Sequence, residues 1–237
     1  MKKTLRYPDL IHEPARQYPA ALTVLEAEAL LRIARQAVIE ATRGRKNWRP
    51  TTFDLPRGPL REPGASFVTL HTYGRLHGCI GSVEPRGEVP LAIDVAKNAQ
   101  SAALLDPRFP PLAVAEVDDT EIEVSVLSPM QPVVYTGLDD LCRRVRPEID
   151  GVLVERGWQR GLLLPQVWEQ LPTPYDFLVH VALKAGASVT LFTQPDTHVY
   201  VFQVHSYVQP APAARQGPAG RASNGPPDAP ATAQPLE

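Results

Sequence analysis

Residues 66–81 read SFVTLHTYGRLHGCIG. Ser66–Thr72 is a short run rich in β-branched and aromatic residues. Tyr73-Gly74 is a turn dipeptide, and Arg75–Gly81 returns as a second strand. Strands joined this tightly must lie antiparallel. The same habit recurs along the chain. TEIEVSVL (120–127) alternates with a period of two, Ile122, Val124 and Val126 facing one way and Glu121, Glu123 and Ser125 the other. Gly151–Glu155 and Gly161–Leu164 form a further hairpin across Arg156–Arg160, and Val189–Phe192 and His198–Tyr207 complete the strands. Strands that come in hairpins, without regular βαβ alternation, indicate an α+β fold built on a largely antiparallel sheet with flanking helices.

The helices are read from their own spacing. A first helix runs from about Val24 to Arg43, opened by the capping box Thr23-x-x-Glu26 and closed at Gly44. Leu30, Ile33, Ala34, Ala37 and Ala41 form its buried stripe. The cations behind it, Arg43, Arg45, Lys46 and Arg49, read as a solvated helix end that complements the dipole; the alternative is a cluster that holds an anion. Residues 47–65, rich in Pro and Gly, form a long loop of the kind that often carries function. Leu91, Val95, Ala99 and Ala103 define a second helix, whose other side carries Asp94, Asn98 and Ser101. Short helices follow at Leu138–Val145 and Pro174–Lys184.

The chain has 237 residues and a formal net charge of −2. That balance speaks against a general nucleic-acid coat or a polybasic membrane binder. Two cysteines, Cys79 and Cys142, make no disulfide framework. The opening MKKTLRYPDLIHEP has no apolar run behind its lysines, and no stretch reaches the length of a membrane span. The expectation is a soluble, cytoplasmic protein in three parts: an N-terminal extension over 1–21, one domain over 22–208, and a tail over 209–237. The tail is so rich in Pro, Ala and Gly that it cannot offset its ordering entropy by burial.

No Walker loop, nucleophile elbow, His-Glu-x-x-His or Cys-x-x-Cys is present. The unusual string is Leu76-His77-Gly78-Cys79-Ile80-Gly81. As a strand it turns Leu76, Gly78 and Ile80 one way and His77 and Cys79 the other. An imidazole beside a thiol favours the reactive thiolate, so Cys79 with His77 as its base is the candidate catalytic pair. A free Cys is equally at home as a small buried hydrophobe. Gly78 and Gly81 are costly inside a strand unless some group approaches closely. Two ligands do not make a zinc site, so no metal and no cofactor is expected. The second string, DPRFPP (106–111), is a rigid turn in which Asp106 and Arg108 clamp the loop; the alternative is Arg108 presented to an anion. Cys79 is expected near a pocket that the second helix lines through Asn98 or Ser101.

FVTLHTYG (67–74), LHGCIG (76–81), DPRFPP (106–111), EIEVSVLSP (121–129), DGVLVE (150–155), LLLPQV (162–167) and KAGAS (184–188) stand in an order and spacing that resemble the AMMECR-domain family, whose members carry the name AmmeMemoRadiSam system protein A. The resemblance covers about residues 22–206. It implies a bacterial α+β protein with a larger and a smaller subdomain and a ligand-binding cleft between them, to which the LxGCIG string contributes. The matching positions are Leu76, Gly78, Cys79, Ile80 and Gly81, and then Asp106, Pro107, Arg108 and Phe109. His77 stands where the family has Arg, and KAGAS departs slightly from the usual string. The family's name implies two partners: a Memo-like protein related to extradiol dioxygenases and a radical S-adenosylmethionine protein.

Three functional readings follow. The first is an adapter or substrate-binding component of that system, with Gly78, Gly81, Asn98, Asp106 and Arg108 at a site for a small molecule or peptide. The second is a thiol-dependent enzyme or modification acceptor using Cys79 and His77. The third is RNA binding through Arg-rich loops, which the acidic balance disfavours.

Overall fold

A computed structural model describes residues 21–51, 55 and 58–213. The extension before Ala21 and the tail from residue 214 lie outside the described residues. Four helices (α1, Val24–Thr42; α2, Leu91–Leu104; α3, Leu138–Arg144; α4, Pro174–Lys184) accompany eight strands. The strands are β1 (Ala65–Thr72), β2 (Arg75–Gly81), β3 (Thr120–Leu127), β4 (Gln131–Pro132), β5 (Gly151–Arg156), β6 (Gln159–Leu163), β7 (His198–Phe202) and β8 (Val204–Gln209). They form two antiparallel sheets of four, ordered β2-β1-β3-β8 and β4-β7-β5-β6. The α+β expectation holds.

Local chemistry explains the elements. In α1 the Thr23 hydroxyl accepts from the Glu26 amide while the Glu26 carboxylate accepts from the Thr23 amide. Leu30, Ala34, Ala37 and Val38 are fully buried, and a buried Leu or Val contributes roughly 1.5–3 kcal/mol. The β1–β2 hairpin turns through Tyr73 and Gly74, both with φ near the left-handed region (52° and 75°). That is the geometry of a two-residue turn matched to strand twist.

The first sheet lays Val68, Leu70, Ile122 and Val124 against α1 and α2. The second lays Val152, Val154, Leu163 and Val199 against α3 and α4. The faces left free by the helices meet each other. Ala65 and Leu127 from the first sheet pack with Leu153, Tyr200 and Phe202 from the second, around Met130. The chain crosses between sheets twice, at Ser128–Met130 and at Gln203. The two crossings lie side by side: the Ser128 amide donates to Gln203 O and the Gln203 amide to Ser128 Oγ, each at 2.9 Å. Leu127 and Val204, on either side of the excursion, are ladder partners.

Three sequence expectations are corrected. Val189–Phe192 is a 3-10 turn, Val189–Thr193, and not a strand; its Leu191 and Phe192 fill the second core. His198–Tyr207 is two strands, one in each sheet, parted at Gln203. β2 carries one extra residue. Leu70 pairs with Gly78 and His71 with Leu76, so His77 bulges between them. Leu76 thereby shares the face of His71, away from the Gly78 and Ile80 side, and is 40% exposed. At the C-terminal end, β8 runs through Gln209, one residue into the stretch read as tail. Arg35 Nε donates to the Gln209 side chain at 2.8 Å.

Candidate functional site

Cys79 lies on β2, the edge strand of the first sheet. It pairs with Thr69, and the Thr69 hydroxyl is 3.2 Å from Sγ. Both side chains point to the face opposite the helices and are half-buried. The outer edge of β2 is held by the turn at 106–109. Asp106 Oδ2 accepts from the Cys79 amide at 2.9 Å, and Arg108 Nη2 reaches Cys79 O at 3.4 Å. The same guanidinium donates to both Asp106 oxygens, at 3.0 and 2.7 Å. The Asp106–Arg108 clamp expected from the sequence is therefore present, and its grip extends to the backbone of Cys79. It satisfies polar groups that an edge strand otherwise leaves open. The Arg108 pairing, with help from the Cys79 amide, holds the Asp106 carboxyl well below the usual carboxylate range.

His77 turns to the same loop. Its ring stacks on Phe109, with centroids 6.2 Å apart and planes 19° from parallel. The Arg108 guanidinium carbon lies 5.3 Å from the centre of that same Phe109 ring. Among the described residues no hydrogen bond joins His77 to the Cys79 thiol, and the imidazole Nε2 has no partner. The two residues the sequence brought together as nucleophile and base are thus each engaged elsewhere, Cys79 with Thr69 and His77 with Phe109.

The glycines have an internal reason. A Cβ on Gly78 would stand 2.1 Å from the carbonyl oxygen of Ala102, so the residue lets α2 lie directly on β2. A Cβ on Gly81 would strike the Phe67 ring and Ser66 O. Phe67 is thereby free to reach the seam between the sheets. The close approach anticipated at both positions is made by this chain itself.

Asn98 is fully buried and belongs to a different cluster. Its amide nitrogen donates to Ser66 O and Ser66 Oγ at 3.0 Å and to Asp94 Oδ2 at 2.9 Å. Ser66 Oγ donates to Asp94 Oδ2 at 2.7 Å. Arg86 closes the set, giving one hydrogen bond to Asp94 Oδ1 at 2.7 Å and one to Asn98 Oδ1 at 3.0 Å. Burial pushes the Asp94 carboxyl up, against a partial pull downward from Ser66 and Arg86. This network ties α2, β1 and the loop before α2 into one unit. Arg86 and Ser66 are absent from the sequence-based site. The only trace they leave is Asp94 and Asn98, two buried polar residues four apart on α2.

Two cavities bear on function; Cys79 lines neither, and Ser101, the α2 residue expected near it, lines one of them. One, of about 230 Å³, is mostly apolar and is lined by Leu22, Leu91, Val126, Met130, His205 and Tyr207 among others. Tyr207 anchors the entry of the chain, its hydroxyl accepting from the Leu22 amide at 2.6 Å. The other, of about 320 Å³, lies between residues 46–49 and the C-terminal half of α2, and contains Ser101. Among the described residues no three His, Cys, Asp or Glu side chains gather in a way that could hold a metal ion, and no helix is long and apolar enough to cross a membrane.

Comparison with known proteins agrees with this architecture. A protein of Methanothermobacter thermautotrophicus is 42% identical over 193 residues, covering 79% of this chain and 96% of its own. A protein of Thermotoga maritima is 39% identical over 154 residues, covering 65% and 82%. The crystal structure of an uncharacterized protein from Pyrococcus horikoshii superposes with a TM-score of 0.67 at 34% identity, over 79% of this chain and 93% of that one. The relatives are mostly archaeal and lend no support to the bacterial origin expected above. The AMMECR1 family model matches residues 31–207, which hold both sheets up to β8, the Cys79 clamp and the Asn98 network, and the chain belongs to the AMMECR1 family.

Proposed function

We propose that this chain is a binding component, an adapter or substrate-binding subunit working with a Memo-like protein and a radical S-adenosylmethionine protein. The partner pair rests on the family resemblance. The choice of binding over catalysis rests on one observation, the engagement of Cys79. A general base must come within about 2.6–3.2 Å of the nucleophile it activates. His77 meets Phe109 instead, and the thiol meets a neutral hydroxyl. The apolar cavity beside Leu22 and Tyr207 supports a ligand of modest size. At about 230 Å³ it falls below the ~300–1,000 Å³ of drug-sized pockets, which suits one or two apolar side chains of a peptide.

The test is Cys79→Ser, which keeps the shape and removes a good nucleophile. Co-purification with the two partners, the melting temperature and the activity of the assembled system are measured together. Near-native values for all three are expected. Lost activity with intact binding and melting would overturn the proposal in favour of the thiol enzyme.

A further inference from the structure

We infer that the cleft between residues 46–49 and α2 is a binding site for a small organic phosphate, a phosphomonoester carrying a planar or apolar body. This inference is independent of the function proposed above. It rests on the distribution of charge around one cavity of about 320 Å³, within the range of small-molecule sites.

Lys46, Arg49 and Lys97 line this cleft. None of the three has an ion-pair partner among the described residues, whereas the neighbouring acids are committed: Glu40 to Arg45, Asp94 to Arg86 and Asp106 to Arg108. Three cations without an ion-pair partner among the described residues, at one cavity, are a concentration of charge in a chain whose formal net charge is −2. A phosphomonoester carries about −1.5 to −2 at neutral pH and matches that set better than a single carboxylate. Helix dipoles oppose it, because α1 and α2 both end near the cleft. Each terminus amounts to roughly half a negative charge, and the α2 end is partly satisfied by the Leu105 and Leu112 amides. Three full charges outweigh that.

The cleft also has apolar lining. Ile93 and Leu104 flank Lys97 along α2, and Leu105, 68% exposed, joins them. Trp48 completes the wall. Its position is fixed by the side chain of Gln100, which is buried. Gln100 Oε1 accepts from the Trp48 amide at 3.1 Å, and Gln100 Nε2 donates to Trp48 O at 2.8 Å. The segment 46–49 is therefore held against α2 by a two-point backbone clamp. Cations interleaved with apolar side chains and Trp48 in one cavity suit a small anion with a planar or apolar body. A nucleic acid strand needs a longer basic track.

The test uses AMP as the probe, titrated calorimetrically at low salt, with inorganic phosphate and a short single-stranded RNA as comparators. Saturable AMP binding is expected. It should weaken by about tenfold or more in Arg49→Ala/Lys97→Ala, and inorganic phosphate should bind about tenfold more weakly than AMP. Both substituted residues are exposed, so an unchanged melting temperature is expected and shows that the variant is folded. No saturation by about 1 mM AMP, or equal affinity in the variant, overturns the site. Phosphate binding as tightly as AMP overturns the organic body, and RNA binding more tightly than AMP overturns the small ligand.

Discussion

Gly78→Ala tests why the glycine is there. The new methyl carbon would stand 2.1 Å from Ala102 O, where real side chains keep at least 3.0 Å. The methyl is fixed rigidly by its own Cα and its neighbour is a backbone carbonyl, so no rotamer change relieves the clash, and either α2 or the β2 edge must move. Overpacking a tight interior costs about 1–3 kcal/mol, occasionally more, and a collision with a backbone carbonyl belongs at the upper end. For a chain of this size 1 kcal/mol corresponds to about 2–4 °C, so roughly 3 kcal/mol lowers the melting temperature by roughly 6–12 °C. The assay is thermal unfolding by circular dichroism. Gly137→Ala serves as the steric control, because a Cβ there meets nothing within 4 Å; as Gly137 is the N-cap of α3, the change carries only a capping loss of about 1 kcal/mol. If the glycine instead clears space for an external partner, Gly78→Ala should melt like the control and lose partner binding. A melting temperature within about 2 °C of wild type would refute the packing explanation.

Two further outcomes concern pH. The Asp106 carboxyl is held down by Arg108 and the Cys79 amide, so its contribution is complete above the unfolded value near 3.9 and is lost as pH falls toward the lower folded value. Urea melts should show wild type more stable than Asp106→Asn by a constant margin from pH 8 to about pH 5, narrowing below about pH 4; a margin that widens in acid would contradict the clamp. Asp94 has the opposite sign. Its carboxyl is pushed up by burial, so its charge is a cost that is present at high pH and is relieved as pH falls through the folded value. Arg86→Met removes its cation. The loss should be about 2–3 kcal/mol at pH 7, below the ~3–5 kcal/mol of fully buried pairs because the Arg86 side chain is 32% exposed. In equilibrium denaturation the gap to wild type should shrink toward acid pH, and a pH-independent gap would show that Arg86 acts by packing alone.

The hairpin 66–81, the half-buried strand 120–127 and the capped helix α1 were legible because each carries a local signal: a turn dipeptide, a period of two, a capping box. What stayed hidden is non-local. The run Val189–Phe192 has the composition of a strand, and its length cannot separate a strand from a helical turn. Nothing at Gln203 marks the point where one apparent strand divides between two sheets, since both halves are rich in Val and Tyr. The bulge at His77 is set by its pairing with β1 and by the Phe109 loop, so counting alternate residues through it misplaced Leu76. The Asp106–Arg108 clamp was readable from spacing, but its target, the Cys79 backbone, was not. Gly78 and Gly81 announced a close approach without saying that α2 and Phe67 make it.

The paired crossings at Ser128 and Gln203 give the second sheet a particular standing. Because Leu127 and Val204 are ladder partners, β3 and β8 amount to a hairpin whose loop is residues 128–203. If that loop is unstructured, closing β8 onto β3 carries a chain entropy of roughly (3/2)RT ln n, about 3 kcal/mol more than for a two-residue turn. If it is folded, its two ends emerge already side by side and most of that penalty disappears. β8 therefore docks easily only after the inserted unit has folded, and local melting of the insert loosens the far edge of the other sheet. Replacing 128–203 by a two-residue turn should leave the β3–β8 register intact while uncovering Ala65, Phe67 and Leu127, which the second sheet buries.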